Sequence, residues 1–177
     1  MTRFVGLLYS ITIGSGKRVL NAPFCELIEG LGHSNPKALL ATGNVVFDAN
    51  SDDARGIERE FEAAFAERFG RHIDFIVRDA AGWARLVAAN PFPEQTRTDP
   101  SHVAVRVMRE PVTAAARKLL EERASAEEIV RFVDGDPWVY FAGGIGTSRL
   151  AGVMTPKRAG VGTSRNFNTV KKIADAL

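Results

Sequence analysis

The hydrophobic residues of this chain change period as it proceeds, and each change marks an element. From Arg3 to Ile13 aromatic and β-branched residues dominate and run into Gly14-Ser15-Gly16, which predicts a strand followed by a loop holding Lys17 and Arg18. Asn21 then offers a helix N-cap with Pro23 in the first turn, and Phe24, Leu27, Ile28 and Leu31 recur at helical spacing up to Gly32. Lys37 to Ala41 and Val45 to Ala49 read as strands joined around Thr42-Gly43-Asn44, where Gly and Asn tolerate the positive φ of a tight hairpin. Asp52 or Asp53 caps a second helix with the stripe Ile57, Phe61, Ala64, Phe65 and Phe69, closed by Gly70. His72 to Arg78 alternates as a fourth strand.

Strand, helix, strand, strand, helix, strand is the split βαβ order of a ferredoxin-like half, placed here at residues 1–78. A short helix capped by Asp79 carries Trp83, Leu86 and Val87, and Asn90-Pro91-Phe92-Pro93 must be a loop. Residues 79–177 then form a second α+β half: a strand from His102 to Met108, a helix from Thr113 to Arg123, and strands Ile129 to Val133 and Trp138 to Phe141. The remainder is expected to be helical, ending in an amphipathic helix with Phe167, Val170, Ile173, Ala174 and Leu177 on one face. The predicted fold is therefore α+β, two ferredoxin-like halves packed together with a C-terminal helix.

A chain of 177 residues with 45% hydrophobic and 25% charged residues has the composition of a globular protein. The opening residues read as a strand, not an export signal, because Tyr9, Ser10 and Thr12 interrupt the apolar run. No apolar run is long enough to cross a membrane, and the single cysteine, Cys25, permits no intrachain disulfide, so a cytoplasmic location is expected. Net charge is only +2, yet residues 137–174 contain no carboxylate, which points to a positive C-terminal surface.

Most chemical motifs are absent. Gly14-Ser15-Gly16-Lys17-Arg18 is not a phosphate loop, because Ile11 stands where its first glycine belongs and Arg18 where Ser or Thr belongs. His33, His72 and His102 have no further ligand at metal-binding spacing beside them, so neither a metal nor a cofactor is indicated. Cys25 adjoins an apolar helix face and reads as a structural thiol, Glu58 with Glu62 as solvated charge, and Trp83, Trp138 and Tyr140 as core. No nucleophile with its base is visible, and no catalytic residue is assigned.

Two glycine clusters stand out: residues 143–149, ending Thr147-Ser148-Arg149, and residues 160–166, ending Ser164-Arg165-Asn166. Both place Thr, Ser and Arg at an expected strand-to-helix junction, where backbone N–H groups can meet an anion. The candidate ligand-binding residues are Lys17, Arg18, Asn44, Arg149, Arg165, Asn166 and Asn168, with Lys157 and Arg158 as neighbours. Arg165 is the most telling, because a cation at the start of the final helix opposes the helix dipole.

Ser164-Arg165-Asn166-Phe167-Asn168-Thr169-Val170 closely resembles the signature that ends a widespread bacterial family, catalogued as domain of unknown function 1697. Thr42-Gly43-Asn44-Val45-Val46-Phe47, Asn90-Pro91-Phe92-Pro93 and Gly144-Ile145-Gly146 fit the same pattern in order. The resemblance implies two ferredoxin-like halves and no defined activity. Tyr9, Ser10 and Thr12 replace an arginine, a glycine and an asparagine usual in relatives, which puts any shared site at that motif in question. Two functions stay open. One is a non-catalytic module that holds a polyanion, such as nucleic acid, weakly and with salt sensitivity through its basic C-terminal surface. The other is an enzyme or receptor for a small phosphorylated or carboxylated metabolite in the cleft between the halves.

Overall fold

The computed structural model describes residues 1–13 and 16–177, without the side chains of Ile13 and Lys17. It divides into two compact units, Met1–Leu86 with Lys172–Leu177, and Val87–Lys171. The division falls at Leu86/Val87, later than the 78/79 boundary read from the sequence, and returns the last residues to the first unit.

In the first unit β1 (Thr2–Leu8) is followed by a two-stranded ribbon, β2 (Thr12–Ile13) and β3 (Lys17–Arg18), and by α1 (Asn21–Gly30). Then come β4 (Ser34–Leu39), β5 (Asn44–Ala49), α2 (Ala54–Phe69), β6 (Phe75–Asp79) and α3 (Ala80–Ala88), the last running just past the unit's boundary. The second unit contains α4 (Pro93–Thr98), β7 (Val103–Met108), α5 (Ala114–Arg123), β8 (Glu128–Val133) and β9 (Asp136–Phe141), then two single 3-10 turns, α6 (Pro156–Ala159) and β10 (Gly162–Asn166). The last helix, α7 (Phe167–Ala174), begins in the second unit, and its final residues count with the first.

Both four-stranded sheets are antiparallel, ordered β4-β5-β1-β6 and β10-β7-β9-β8. Leaving out the β2–β3 ribbon, each unit places its fourth strand beside its first, then its third, then its second. That is the ferredoxin-like arrangement expected from the sequence.

The first unit's core is aromatic. Phe24, Phe61 and Phe75 meet at centroid distances of 3.9–6.0 Å, with Ile28, Ile57 and Phe65 around them. Gly6 sits mid-strand in β1 because the Phe75 ring lies over it: a Cβ there would come within 2.1 Å of Cζ. Each large side chain buried here contributes about 1.5–3 kcal/mol.

Several capping details differ from the sequence reading. Asn21 does not cap α1 but donates its side-chain amide to the Leu40 carbonyl at 3.0 Å. Asp53 does cap α2, accepting from the Gly56 amide at 2.8 Å. Glu58 and Glu62 are not simply solvated charge. Glu58 is 2% exposed and accepts the Val77 N–H at 2.9 Å, while Glu62 accepts the Phe75 N–H at 2.9 Å. One turn apart on α2, the two carboxylates serve alternate outward amides of β6, the edge strand.

The segment after β9 is a correction, since it was expected to be wholly helical. Gly162–Asn166 forms β10 and pairs with β7, Arg165 opposite Val105, completing the second sheet. Its Gly-Thr-Ser-Arg-Asn sequence has weak strand propensity, so the open edge of β7 supplies what the residues do not. The amphipathic face of α7 is as expected, with Phe167, Val170 and Ile173 buried.

The β4–β5 hairpin turns through Gly43 at φ 74°, where a Cβ would come within 2.9 Å of both Leu8 Cβ and Ile11 Cγ2. Gly43→Val is therefore expected to cost well over about 1 kcal/mol, through strain and overlap together. Urea denaturation measures it, and an unchanged midpoint would contradict this hairpin geometry.

Candidate functional site

The candidate residues fall into distinct structural roles. Gly14, Ser15 and the Lys17 side chain lie outside the described residues. Arg18 is exposed on β3, opposite Thr12. Asn44 is 1% exposed and faces the chain itself, donating to the Leu39 carbonyl at 3.0 Å and the Thr42 hydroxyl at 2.8 Å. Asn166 is the N-cap of α7: its side-chain oxygen accepts from both the amide and the hydroxyl of Thr169 at 3.0 Å. Asn168 is exposed in the first turn of that helix.

Arg165 lies on β10, not at the start of α7, so the dipole argument does not apply to it. It is 8% exposed and donates to the Thr163 hydroxyl at 2.7 Å and the Ser164 carbonyl at 2.9 Å. Burial pushes its guanidinium down to about 10, which still leaves it charged at neutral pH. Burial pushes the Cys25 thiol up, which disfavours the thiolate form a nucleophile needs.

Arg149 has a different setting. It lines a cavity of about 420 Å³ in the second unit, between the end of α5 with its connection to β8 and the glycine turn at residues 143–149. Several polar groups on its wall are already engaged. Ser148 Oγ accepts the Ala151 amide at 3.0 Å, Glu128 accepts the Ser125 amide at 2.8 Å, and Glu122 lies 3.8 Å from Lys118. Among the described residues Arg123, Glu127, Thr147 and Arg149 keep their side chains unengaged. The wall carries two guanidiniums and three carboxylates, but Glu122 is near Lys118 and Glu128 is bonded to a backbone amide, so the unengaged groups are two cations to one anion. Gly143 and Gly144 bring backbone instead of side chain to its edge, and Glu127 Oε2 lies 3.3 Å from where a Gly143 Cβ would stand.

Beside Gly144 is a histidine that sequence reasoning set aside. His102 Nδ1 is 2.6 Å from Asp99 Oδ2, and His102 Nε2 lies 3.7 Å from where a Gly144 Cβ would stand. When Nδ1 donates to the carboxylate, Nε2 is left as an acceptor directed toward the glycine turn. His72 too has a carboxylate partner, with Nε2 3.3 Å from Asp74 Oδ1. Both correct the expectation that the histidines stand alone. The signal was in the sequence, as Asp99 three residues before His102 across a proline turn, and Asp74 two residues after His72 in extended chain.

Lys157 and Arg158 are exposed on α6 and line a separate, mostly apolar cavity of about 340 Å³, with Met108, Val112 and Val161 on its wall. The basic residues between 137 and 174 thus occupy several settings: Arg149 at one cavity, Lys157 and Arg158 at another, Arg165 on β10, and Lys171 and Lys172 exposed on α7.

A family model described as "protein of unknown function (DUF1697)" matches residues 1–138. The chain belongs to that family. The matched span ends just before the glycine turn at 143–149, so the family match includes Asp99, His102 and Arg123 but not Arg149. Among solved structures, "the structure of conserved bacterial protein SP0830 from Streptococcus pneumoniae" is similar with a TM-score of 0.71 and 18% identity, covering 98% of this chain and 97% of that one. At that identity the likeness shows the fold. No curated protein matches the chain, and no helix among the described residues is long and apolar enough to cross a membrane.

The buried setting of Arg165 gives a direct test. Arg165→Ala leaves the Thr163 hydroxyl and the Ser164 carbonyl short of a donor, and is expected to cost about 1–3 kcal/mol. A urea midpoint equal to that of the unaltered chain would contradict the structural role.

Proposed function

We propose that the second unit is a binding module for a small anionic metabolite, phosphorylated or carboxylated, that also carries one ammonium or hydroxyl donor. The observation that carries the reading is the unengaged set Arg123, Glu127, Thr147 and Arg149 around one cavity of about 420 Å³. Arg123 and Arg149 would hold the anionic group, since guanidinium forks match the geometry of carboxylate and phosphate. Glu127 would accept the ligand's donor and disfavour a purely anionic ligand, which it would repel. The size of the cavity suits a small molecule. A nucleic-acid partner receives less support, because Arg149 and the Lys157–Arg158 pair line different cavities.

A second reading, that the unit also catalyses, rests on the Asp99–His102 pair. A histidine oriented by a carboxylate beside a ligand pocket is a suitable general base or acid. The single cysteine and the absence of an intrachain disulfide favour a cytoplasmic setting for either reading.

Calorimetric titration of the full chain with O-phosphoserine, and separately with inorganic phosphate, tests the binding reading. Saturable binding of the zwitterion, weaker binding of phosphate, and loss of both in Arg149→Ala are expected. Arg149 is exposed, so its removal should change stability by no more than about 0.5 kcal/mol. Binding that survives Arg149→Ala would place the ligand elsewhere and overturn the proposal.

A further inference from the structure

The second unit has another cavity, of about 340 Å³, between the connection from β7 to α5 and the segment that runs from α6 into β10. Its apolar lining is continuous with the hydrophobic core: Met108, Val112, Ala116 and Ala159 all belong to that core and are buried. Lys157 and Arg158, both exposed, stand on the wall. We propose that this cavity is a second ligand site, for a medium-chain aliphatic carboxylate, and it does not rest on the anion site around Arg149.

The chain builds the cavity before any ligand arrives. Pro156 opens α6, and Gly160 ends it at φ 91°, which turns the backbone sharply toward β10. A Cβ at Gly160 would come within 3.0 Å of Met108 Cε, and one at Gly162 within 2.8 Å of its Sδ, so this turn lies directly on the thioether. The Gly160 carbonyl accepts from Arg106 Nη2 at 2.8 Å, and the Val161 carbonyl accepts the Arg109 amide at 2.8 Å. On the facing side the Val112 amide donates to the Gly135 carbonyl at 3.0 Å. Both sides are thus held by hydrogen bonds within the chain, and a preformed site spares a ligand the cost of ordering it.

The lining selects the two ends of the ligand. Water in a space walled by methionine, valine and alanine side chains finds few hydrogen-bond partners, so an apolar body displaces it favourably. The flexible, polarizable thioether of Met108 adapts to an alkyl chain. A volume of about 340 Å³ is at the small end for ligand pockets, which limits that chain to medium length.

Charge complementarity sets the other end. Among the described residues the Lys157 and Arg158 side chains are unengaged, whereas Arg109 and Glu110, also on the wall, have further interactions within the fold. Two unengaged cations beside an apolar space match one anionic head on an apolar tail, and a carboxylate forms charge-assisted bonds with both. A nucleotide or sugar phosphate would leave the apolar space unfilled.

Calorimetric titration of the full chain with sodium octanoate, sodium acetate and octanol, together with thermal unfolding, tests the site. Octanoate is expected to bind in one equivalent and to raise the melting temperature. Acetate, the head without the tail, should show no saturable binding, and octanol, the tail without the charge, should bind at least about tenfold more weakly than octanoate. Replacing both cations together, Lys157→Ala with Arg158→Ala, should weaken octanoate by at least about tenfold and leave octanol unchanged. Both side chains are exposed, so this double variant should fold. Val161→Phe, which fills the cavity from a half-buried position, should weaken octanoate and octanol alike. Octanoate binding that is absent, that is matched by acetate, or that persists undiminished in the double variant or in Val161→Phe would overturn the proposal.

Discussion

A ferredoxin-like sheet is open at both edges, and the outward amides of its edge strands must find acceptors. In the first unit Glu58 and Glu62 of α2 meet this demand by reaching the Val77 and Phe75 amides of β6. A carboxylate that is 2% exposed is tolerable only because it accepts such bonds and meets Arg55 at 2.6 Å. The helix is thereby fixed over the strand in one register, with Phe61 stacked on Phe75 at 3.9 Å and Gly6 kept small beneath that ring. In the second unit a buried carboxylate serves an inner strand instead: Asp136, 7% exposed, accepts the Met108 amide at 2.7 Å where the pairing of β7 with β9 has ended.

The same demand sorts the polar residues that looked functional. Asn44 ties the β4–β5 turn, Asn166 starts α7, and Arg165 holds the strand that completes the second sheet. Each is conspicuous in the sequence because each has a specific partner in the chain. The residues on which the proposed site draws are less conspicuous: Arg123, Glu127 and Arg149 around the cavity, and Asp99 with His102 beside Gly144.

The elements carrying strong hydrophobic periodicity were legible before folding. The aromatic stripe of α2, the Gly43 hairpin, the strands around Val105 and Val139, and the apolar face of α7 all lie where the pattern puts them. β10 was not legible, because Gly162 to Asn166 carries no alternation of apolar residues and becomes a strand only against β7. Nor was α4, which starts at Pro93 just after a proline turn that reads as loop. Glu58 and the histidine pairs escaped for a shared reason: local spacing says which side chains share a face, but not which backbone amide or neighbouring element that face will meet.

The central claim is that polar residues fixed to the chain's own backbone are structural, while the unengaged set in the second unit meets the ligand. A nitrogen-15 NMR titration of the full chain with O-phosphoserine tests it residue by residue. Shifts confined to the amides of Gly143, Gly144, Gly146 and Arg149 and to the Ala124–Glu128 connection are the result this account predicts. Shifts centred instead on Asn44, on Arg165 or on the first turn of α7 would contradict it.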